Sequence, residues 1–235
     1  MPQPLPHITS IRDFMVFEEH VKNARARRGL EVPSEWYEGP TFYFTNAAPS
    51  AIYADGADVP RPAYTQKLDV ELELACIIGT GGRDIAATDA EQHIAGFTIF
   101  NDWSARDVQR REMAVGLGPC KAKDFAQSLG PQMVTPDELA QWRVAPGRYD
   151  LKMDLCVNGQ RIGGGNARDM RWSFCELIEF ASAAVDLQPG DVLGSGTVGT
   201  GCILELGPEV QPWLEPGDTV EMVVEGIGTL RNRVA

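Results

Sequence analysis

Three acids alternate in the stretch Lys67-Leu68-Asp69-Val70-Glu71-Leu72-Glu73-Leu74-Ala75-Cys76-Ile77-Ile78-Gly79. Successive side chains on a strand point to opposite faces, so Asp69, Glu71 and Glu73 share one face while Leu68, Val70, Leu72 and Leu74 share the other. From Ala75 to Ile78 both faces are apolar. The pattern predicts a strand that enters a buried sheet directly after presenting two carboxylates side by side. Such a pair repels, and each group raises the other's pKa unless a cation lies between them. Two readings stand: a half-buried strand with a solvated acidic face, or a metal site.

Further polar groups gather at the end of a second apolar run, Ile94 to Phe100, which leads into Asn101-Asp102-Trp103-Ser104-Ala105-Arg106-Asp107-Val108-Gln109. Ser104 is a candidate N-cap, and Asp102, Arg106 and Gln109 then recur at near-helical spacing on one side. Burying an acid, a guanidinium and an amide unpaired is costly, so the group reads as a site or as a structural salt bridge. The loop from Gly116 to Phe125 adds Lys121 and Lys123, residue types that are usually only solvated. Near the N-terminus, Ser10 to Arg28 reads as a helix with Ser10 as N-cap and Asp13 in a weak capping box. At about 100° per residue, Asp13 and His20 fall within roughly 20° of each other at the edge of its apolar face. They read as a capping acid and a surface histidine, or as a pair carried toward a cleft.

The remaining elements position these groups. Gly29 to Gln66, rich in Pro, Gly, Asn and aromatic residues, reads as an irregular covering arm or lid. Thr135-Pro136-Asp137-Glu138 reads as a capped helix start, and Ser173 as the cap of a helix running through Val185. Tyr149 to Val157 alternates, and Asn158-Gly159 is a hairpin signal into Arg161-Ile162. Pro189-Gly190-Asp191 and Pro216-Gly217-Asp218 each precede a β-rich run, so the C-terminal third is read as mainly strands. Gly194-Ser195-Gly196-Thr197-Val198-Gly199 fits the dinucleotide pattern G-x-G-x-x-G. The next run, Cys202 to Pro208, reads as a short β-like segment rather than the helix that a pyrophosphate needs, so NAD binding is rejected. The glycines read instead as places where backbone approaches a ligand.

The 235 residues, 43% hydrophobic and 23% charged, suit one large core or two small ones. A formal net charge of −12 repels nucleic acid and anionic membranes and leaves a small molecule as the expected partner. No stretch has the length of a membrane span, and the first residues lack the pattern of a signal peptide, so a cytoplasmic location is expected. The five cysteines have no paired spacing, which suits buried thiols in a reducing compartment.

Taken together, Glu71-x-Glu73, the run from Asn101 to Asp107, Gly118-Pro119 with Lys123, and Gly194-Ser195-Gly196-Thr197 resemble the fumarylacetoacetate hydrolase family. The resemblance implies an α+β, mainly β fold: a mixed β-sandwich roll with a few peripheral helices, usually a homodimer. It divides the chain into an N-terminal helix and arm over 1–66 and a catalytic region over 67–235, one structural unit. Its metal-binding acids fall on Glu71, Glu73 and Asp102, with a fourth on Asp13. An all-oxygen set suits Mg²⁺, with Mn²⁺ or Ca²⁺ as alternatives, over zinc. The resemblance places a catalytic histidine on His20, its glutamate partner on Glu205 and an oxyanion-stabilising lysine on Lys123. Substrate contacts fall on Tyr43, Arg106, Gln109 and Thr197, and Met15 stands where the fumarylacetoacetase branch has a tyrosine. The activity implied is metal-dependent hydrolysis of a C–C bond in a 1,3-diketo acid. Decarboxylation, isomerisation or hydration of a 2-oxo acid is the alternative within the family, and a non-catalytic metal-binding protein the alternative outside it.

Overall fold

The computed structural model describes residues 3–235. In chain order it places β1 (Ser10–Phe14), α1 (Glu18–Ala26), β2 (Phe42–Thr45), β3 (Ile52–Tyr53), β4 (Asp58–Val59), β5 (Leu68–Asp69) and β6 (Leu72–Ile78). Next come β7 (Ile94–Asp102), β8 (Ser104–Ala105), α2 (Arg106–Val115), β9 (Gln127–Val134), β10 (Arg143–Ala145), β11 (Arg148–Tyr149), β12 (Lys152–Val157) and β13 (Gln160–Asn166). The chain closes with α3 (Phe174–Ser182), β14 (Asp191–Gly194), α4 (Ile203–Leu206), β15 (Thr219–Val224) and β16 (Gly228–Val234).

Two mixed sheets carry the fold. Seven strands run in the order β2-β1-β14-β6-β7-β9-β3, and five in the order β13-β12-β15-β16-β4. Within the first, β1 lies parallel to β14 and β3 parallel to β9, while β14, β6, β7 and β9 pair antiparallel. The core between the sheets follows from the period of two. Leu72, Leu74, Cys76 and Ile78 of β6 pack into one cluster with Met153, Leu155, Val220, Met222 and Leu230 of the second sheet. Ala75 and Ile77, on the opposite face, join Ile11, Phe100, Leu129 and Val192 in a second cluster. With both faces covered, the acidic face of β6 is not solvated, and Glu73 is 0% exposed. No helix among the described residues is long and apolar enough to cross a membrane.

Asn158-Gly159 turns β12 into β13 with φ of 51° and 77°, the left-handed pair that a tight hairpin demands. Ser173 and Glu176 form the expected capping box, but α3 ends at Ser182. Several other expectations are corrected. Ser10 to Phe14 is a strand and not the first turn of a helix. Ile11 to Phe14 are all buried, because β1 is inserted between β2 and β14, and pairing on both edges overrides the helical spacing. Asp13 therefore caps nothing. The central strand breaks at Val70-Glu71, so that β5 pairs with β8 while β6 joins the large sheet. Ser104 lies in β8 and its hydroxyl donates to the Asp102 carbonyl, leaving Ala105 as the N-cap of α2. Thr135 and Glu138 do bond each other, yet a turn and a short 3₁₀ segment at Ala140–Trp142 replace the expected helix. Within Cys202 to Pro208, Ile203–Leu206 is one helical turn and not a β-like run, with Cys202 as its extended N-cap. Residues 29–66 contribute β2 and β3 to the two edges of the large sheet and β4 to the edge of the small one.

Candidate active site

Four carboxylates converge where β1, β14, β6 and β7 lie side by side. Asp13 pairs with Gly194 across β1 and β14, Gly194 pairs with Ala75 of β6, and the Asp102 amide bonds the Glu71 carbonyl. One oxygen from each of Asp13, Glu71, Glu73 and Asp102 lies within 4.8 Å of the others. Gly194 permits this: a Cβ there would stand 2.6 Å from Asp13 Oδ1 and 2.9 Å from Glu73 Oε2. The Gly196 amide donates to Glu73 Oε2 at 2.9 Å, which is how the glycine-rich run approaches the acids.

Donors are too few for these acids. Lys123 Nζ bonds Glu71 Oε2 and Asp102 Oδ2. Arg106 Nη2 pairs with Glu71 Oε1 at 2.8 Å. The single hydroxyl proton of Tyr43 is shared between Asp13 Oδ2, at 2.7 Å, and Asp102 Oδ2. Asp13 Oδ1, Glu73 Oε1 and Asp102 Oδ1 are buried with no hydrogen-bond partner. Burial pushes the Asp102 carboxyl well above the carboxylate range despite Lys123. Burial next to Asp13 does the same to Glu73. Burial also raises Asp13, against the opposing pull of the Lys123 ammonium. For Glu71 burial acts in the same sense, but Lys123 and Arg106 override it and hold the group well below its usual value. Four acids facing two cations, with three orphaned oxygens and no nitrogen or sulfur donor, fit a hard divalent ion.

The second constellation faces the same cleft. His20, on α1, sets Nδ1 2.7 Å from Glu205 Oε1 on α4. Glu205 Oε2 accepts from Asn23 Nδ2 at 3.0 Å and from the Thr200 amide at 2.9 Å, and the Cys202 thiol reaches Oε1 at 3.4 Å. Burial alone would raise Glu205, but the bond to His20 leads a set of contacts that lowers it. Cys202 also lies within ligand distance of His20 and Glu205, but burial drives its thiol well above the usual range and keeps it a weak donor.

A cavity of about 1020 Å³ is lined by Asp13, His20, Tyr43, Glu71, Glu73, Arg106, Gln109, Lys123 and Thr197, while Asp102 and Glu205 stand directly behind it. Asp13 and His20 do reach one cleft, but from a strand and a helix rather than from one helix. Met15 also lines the wall. Arg106 is engaged inside the protein: Nε donates to Asp69 Oδ2 at 2.7 Å and Nη1 to Gln109 Oε1 at 2.9 Å. Three participants escaped the sequence. Asn23 lies one turn beyond His20, a spacing that would have flagged it. Gly194 was seen only as part of a glycine run. Asp69 was grouped with the acidic face, and nothing in the alternation separates it from its neighbours.

The family model for the fumarylacetoacetate hydrolase C-terminal region matches residues 9–235. The chain belongs to this family. Human mitochondrial oxaloacetate tautomerase FAHD2A is 37% identical over 186 residues, 79% of this chain and 56% of that protein. Fumarylacetoacetase of Oryza sativa subsp. japonica is 29% identical over 267 residues, 88% of this chain and 62% of that protein. The chain thus spans between about half and two thirds of the length of these curated relatives. Among solved structures, 5-carboxymethyl-2-hydroxymuconate delta-isomerase of Mycobacterium smegmatis superposes with a TM-score of 0.75 at 30% identity, covering 97% of this chain and 77% of that one.

Proposed function

We propose that this member of the family is a divalent-metal-dependent hydrolase that cleaves a C–C bond in a 1,3-diketo acid such as an acylpyruvate. The observation that carries the reading is the His20–Glu205 pair, its 2.7 Å bond facing the same cleft as the four acids. Asp13, Glu71, Glu73 and Asp102 are the residues that would hold the ion. A divalent ion held there would supply Lewis acidity to the substrate's oxygens.

With Nδ1 committed to Glu205, the other ring nitrogen of His20, Nε2, serves as the base that removes a proton from water. Glu205 stabilises the imidazolium that results, while its bonds to Asn23 and Thr200 fix its orientation. Lys123, whose ammonium the acids Asp102 and Glu71 stabilise against the opposing effect of burial, steadies negative charge on the substrate oxygen. Gln109 accepts from Arg106 through Oε1, so its amide N–H₂ is the group that donates into the cleft. Thr197 orients the substrate acid, Arg106 is held by Asp69, Gln109 and Glu71 and offers that acid only its remaining N–H groups, and Tyr43 holds Asp13 and Asp102 in place.

A second reading, tautomerisation of a 2-oxo acid, is favoured by the tautomerase name carried by the 37% identical human relative. It requires proton transfer at carbon and no attacking water. A panel of 2,4-diketo acids and oxaloacetate, assayed with Mg²⁺, separates the two: cleavage products are expected, whereas enol–keto exchange without cleavage moves the assignment to tautomerase. Turnover of nothing, with an ion that still raises the melting temperature, would leave a metal-binding protein. On family resemblance we also propose a homodimer, which a monomer mass in light scattering would remove.

A further inference from the structure

Asp69 is 0% exposed and its carboxylate meets neither the cleft nor the other acids. Oδ1 accepts from the Val70 amide at 2.7 Å and the Ile203 amide at 2.8 Å. Oδ2 accepts from Arg106 Nε at 2.7 Å and the Leu204 amide at 3.0 Å. All four partners are donors, and the only cation among them is Arg106. A buried charge without such a set would be costly, so every one of these bonds also constrains what it touches.

What it touches lies on both sides of the chemistry. Two residues further along the same stretch stands Glu71, which the other arm of Arg106 grips at 2.8 Å. One residue beyond Leu204 stands Glu205. α4 has only four residues, too few to be stable alone, and its first two amides are held by Asp69. From Glu205 through α4, Asp69 and Arg106 to Glu71 there thus runs a continuous path of backbone, hydrogen bonds and one ion pair between the His–Glu pair and the acid cluster.

We infer that Asp69 is a positioning residue that holds α4 so that Glu205 meets His20 at the correct place relative to Glu71. The positioning itself is independent of which reaction is catalysed; its kinetic consequence rests on the proposed hydrolase reading. Asp69→Asn keeps the shape but turns one acceptor into a donor facing N–H groups, which must loosen Arg106 or the first turn of α4.

The chain has three histidines, so ¹⁵N-histidine labelling gives a spectrum that a His20→Ala control assigns. In the unaltered protein His20 is expected as one tautomer, protonated on Nδ1. In Asp69→Asn it is expected as an exchanging mixture of tautomers, with kcat down about 10 to 10²-fold and KM within about two-fold, as for a lost orienting contact. A folded Asp69→Asn protein with the His20 spectrum unchanged would overturn the inference, even with a lowered kcat. Should Asp69→Asn not fold, Leu204→Pro decides: proline is tolerated in a first turn, removes one of the donors and leaves the Asp69–Arg106 pair intact. The same loss of a single tautomer is then expected, and an unchanged spectrum refutes the role. If the protein cleaves no diketo acid at all, the hydrolase reading fails while the spectrum still decides the positioning of Glu205.

Discussion

Around Asp13, Glu71, Glu73 and Asp102 the protein supplies fewer donors than the carboxylate oxygens can accept, whereas both oxygens of Glu205 are met by protein donors. The two regions share a cleft and lie at opposite ends of the path through Asp69. Their difference is one of completion: the cluster needs a cation to balance it, and the pair is finished by the polypeptide alone. Removing the ion should therefore disturb the first and spare the second, and altering the pair should spare the ion.

The largest expected effect is from chelation. Exhaustive treatment with EDTA should abolish turnover and lower the melting temperature, and Mg²⁺ or Mn²⁺ should restore both. Full activity in chelated protein would erase the distinction between the regions. Next come His20→Ala and Glu205→Gln, each expected to reduce diketo acid cleavage by about 10² to 10⁴-fold, the span of a positioned general base. The double variant should be scarcely worse than the worse single one, and ion affinity, read by calorimetry, should stay within a few-fold. Cleavage that survives His20→Ala would move the chemistry to enolate stabilisation alone.

Gly194→Ala should act in the opposite sense, on the ion and not on the pair. Its Cβ would press on Asp13 and Glu73 at 2.6 and 2.9 Å. Overpacking of this kind costs about 1–3 kcal/mol, which corresponds to a roughly 10 to 10²-fold loss of ion affinity if the strain falls on the ligands. Unchanged affinity in a folded variant would show that the acids can move apart.

The smallest effect is on stability against pH. Asp13, Glu73 and Asp102 are raised above their unfolded values, chiefly by burial, so the ion-free native state holds more protons than the unfolded chain as pH climbs through that interval. Stability of the ion-free protein should therefore fall as pH rises from about 4 toward neutrality, the sign set by the extra native protons. Glu205 is depressed and contributes oppositely, its stabilisation being lost only as pH falls below the ordinary glutamate value. With Mg²⁺ present the decline above pH ~4 should vanish or reverse, because the ion displaces those protons. Parallel melting curves with and without the ion would show the acids to be balanced already.

Much of this was legible before any tertiary information. The alternation at Leu68 to Leu74 fixed which side of the central strand is core and which bears acids, because a period of two leaves no other assignment. Asn158-Gly159 and Ser173-x-x-Glu176 marked a hairpin and a helix start, since turn and cap chemistry are local. The run from Asn101 to Asp107 announced polar groups at the end of a buried strand. Where local signals competed with long-range pairing they failed. Ser10 to Phe14 has helical spacing and capping residues, yet two strands distant in sequence claim its backbone. Cys202 to Pro208 looks β-like, yet a buried aspartate 134 residues before Ile203 holds the Ile203 amide at the start of a helical turn. Only the tertiary structure could decide that Asp69 faces α4 while Glu71 and Glu73, identical to it in pattern, face the cleft. Three acids on one side of a strand are equivalent in sequence, and what separates them is the break at Val70-Glu71 and the donors that the rest of the chain brings to each.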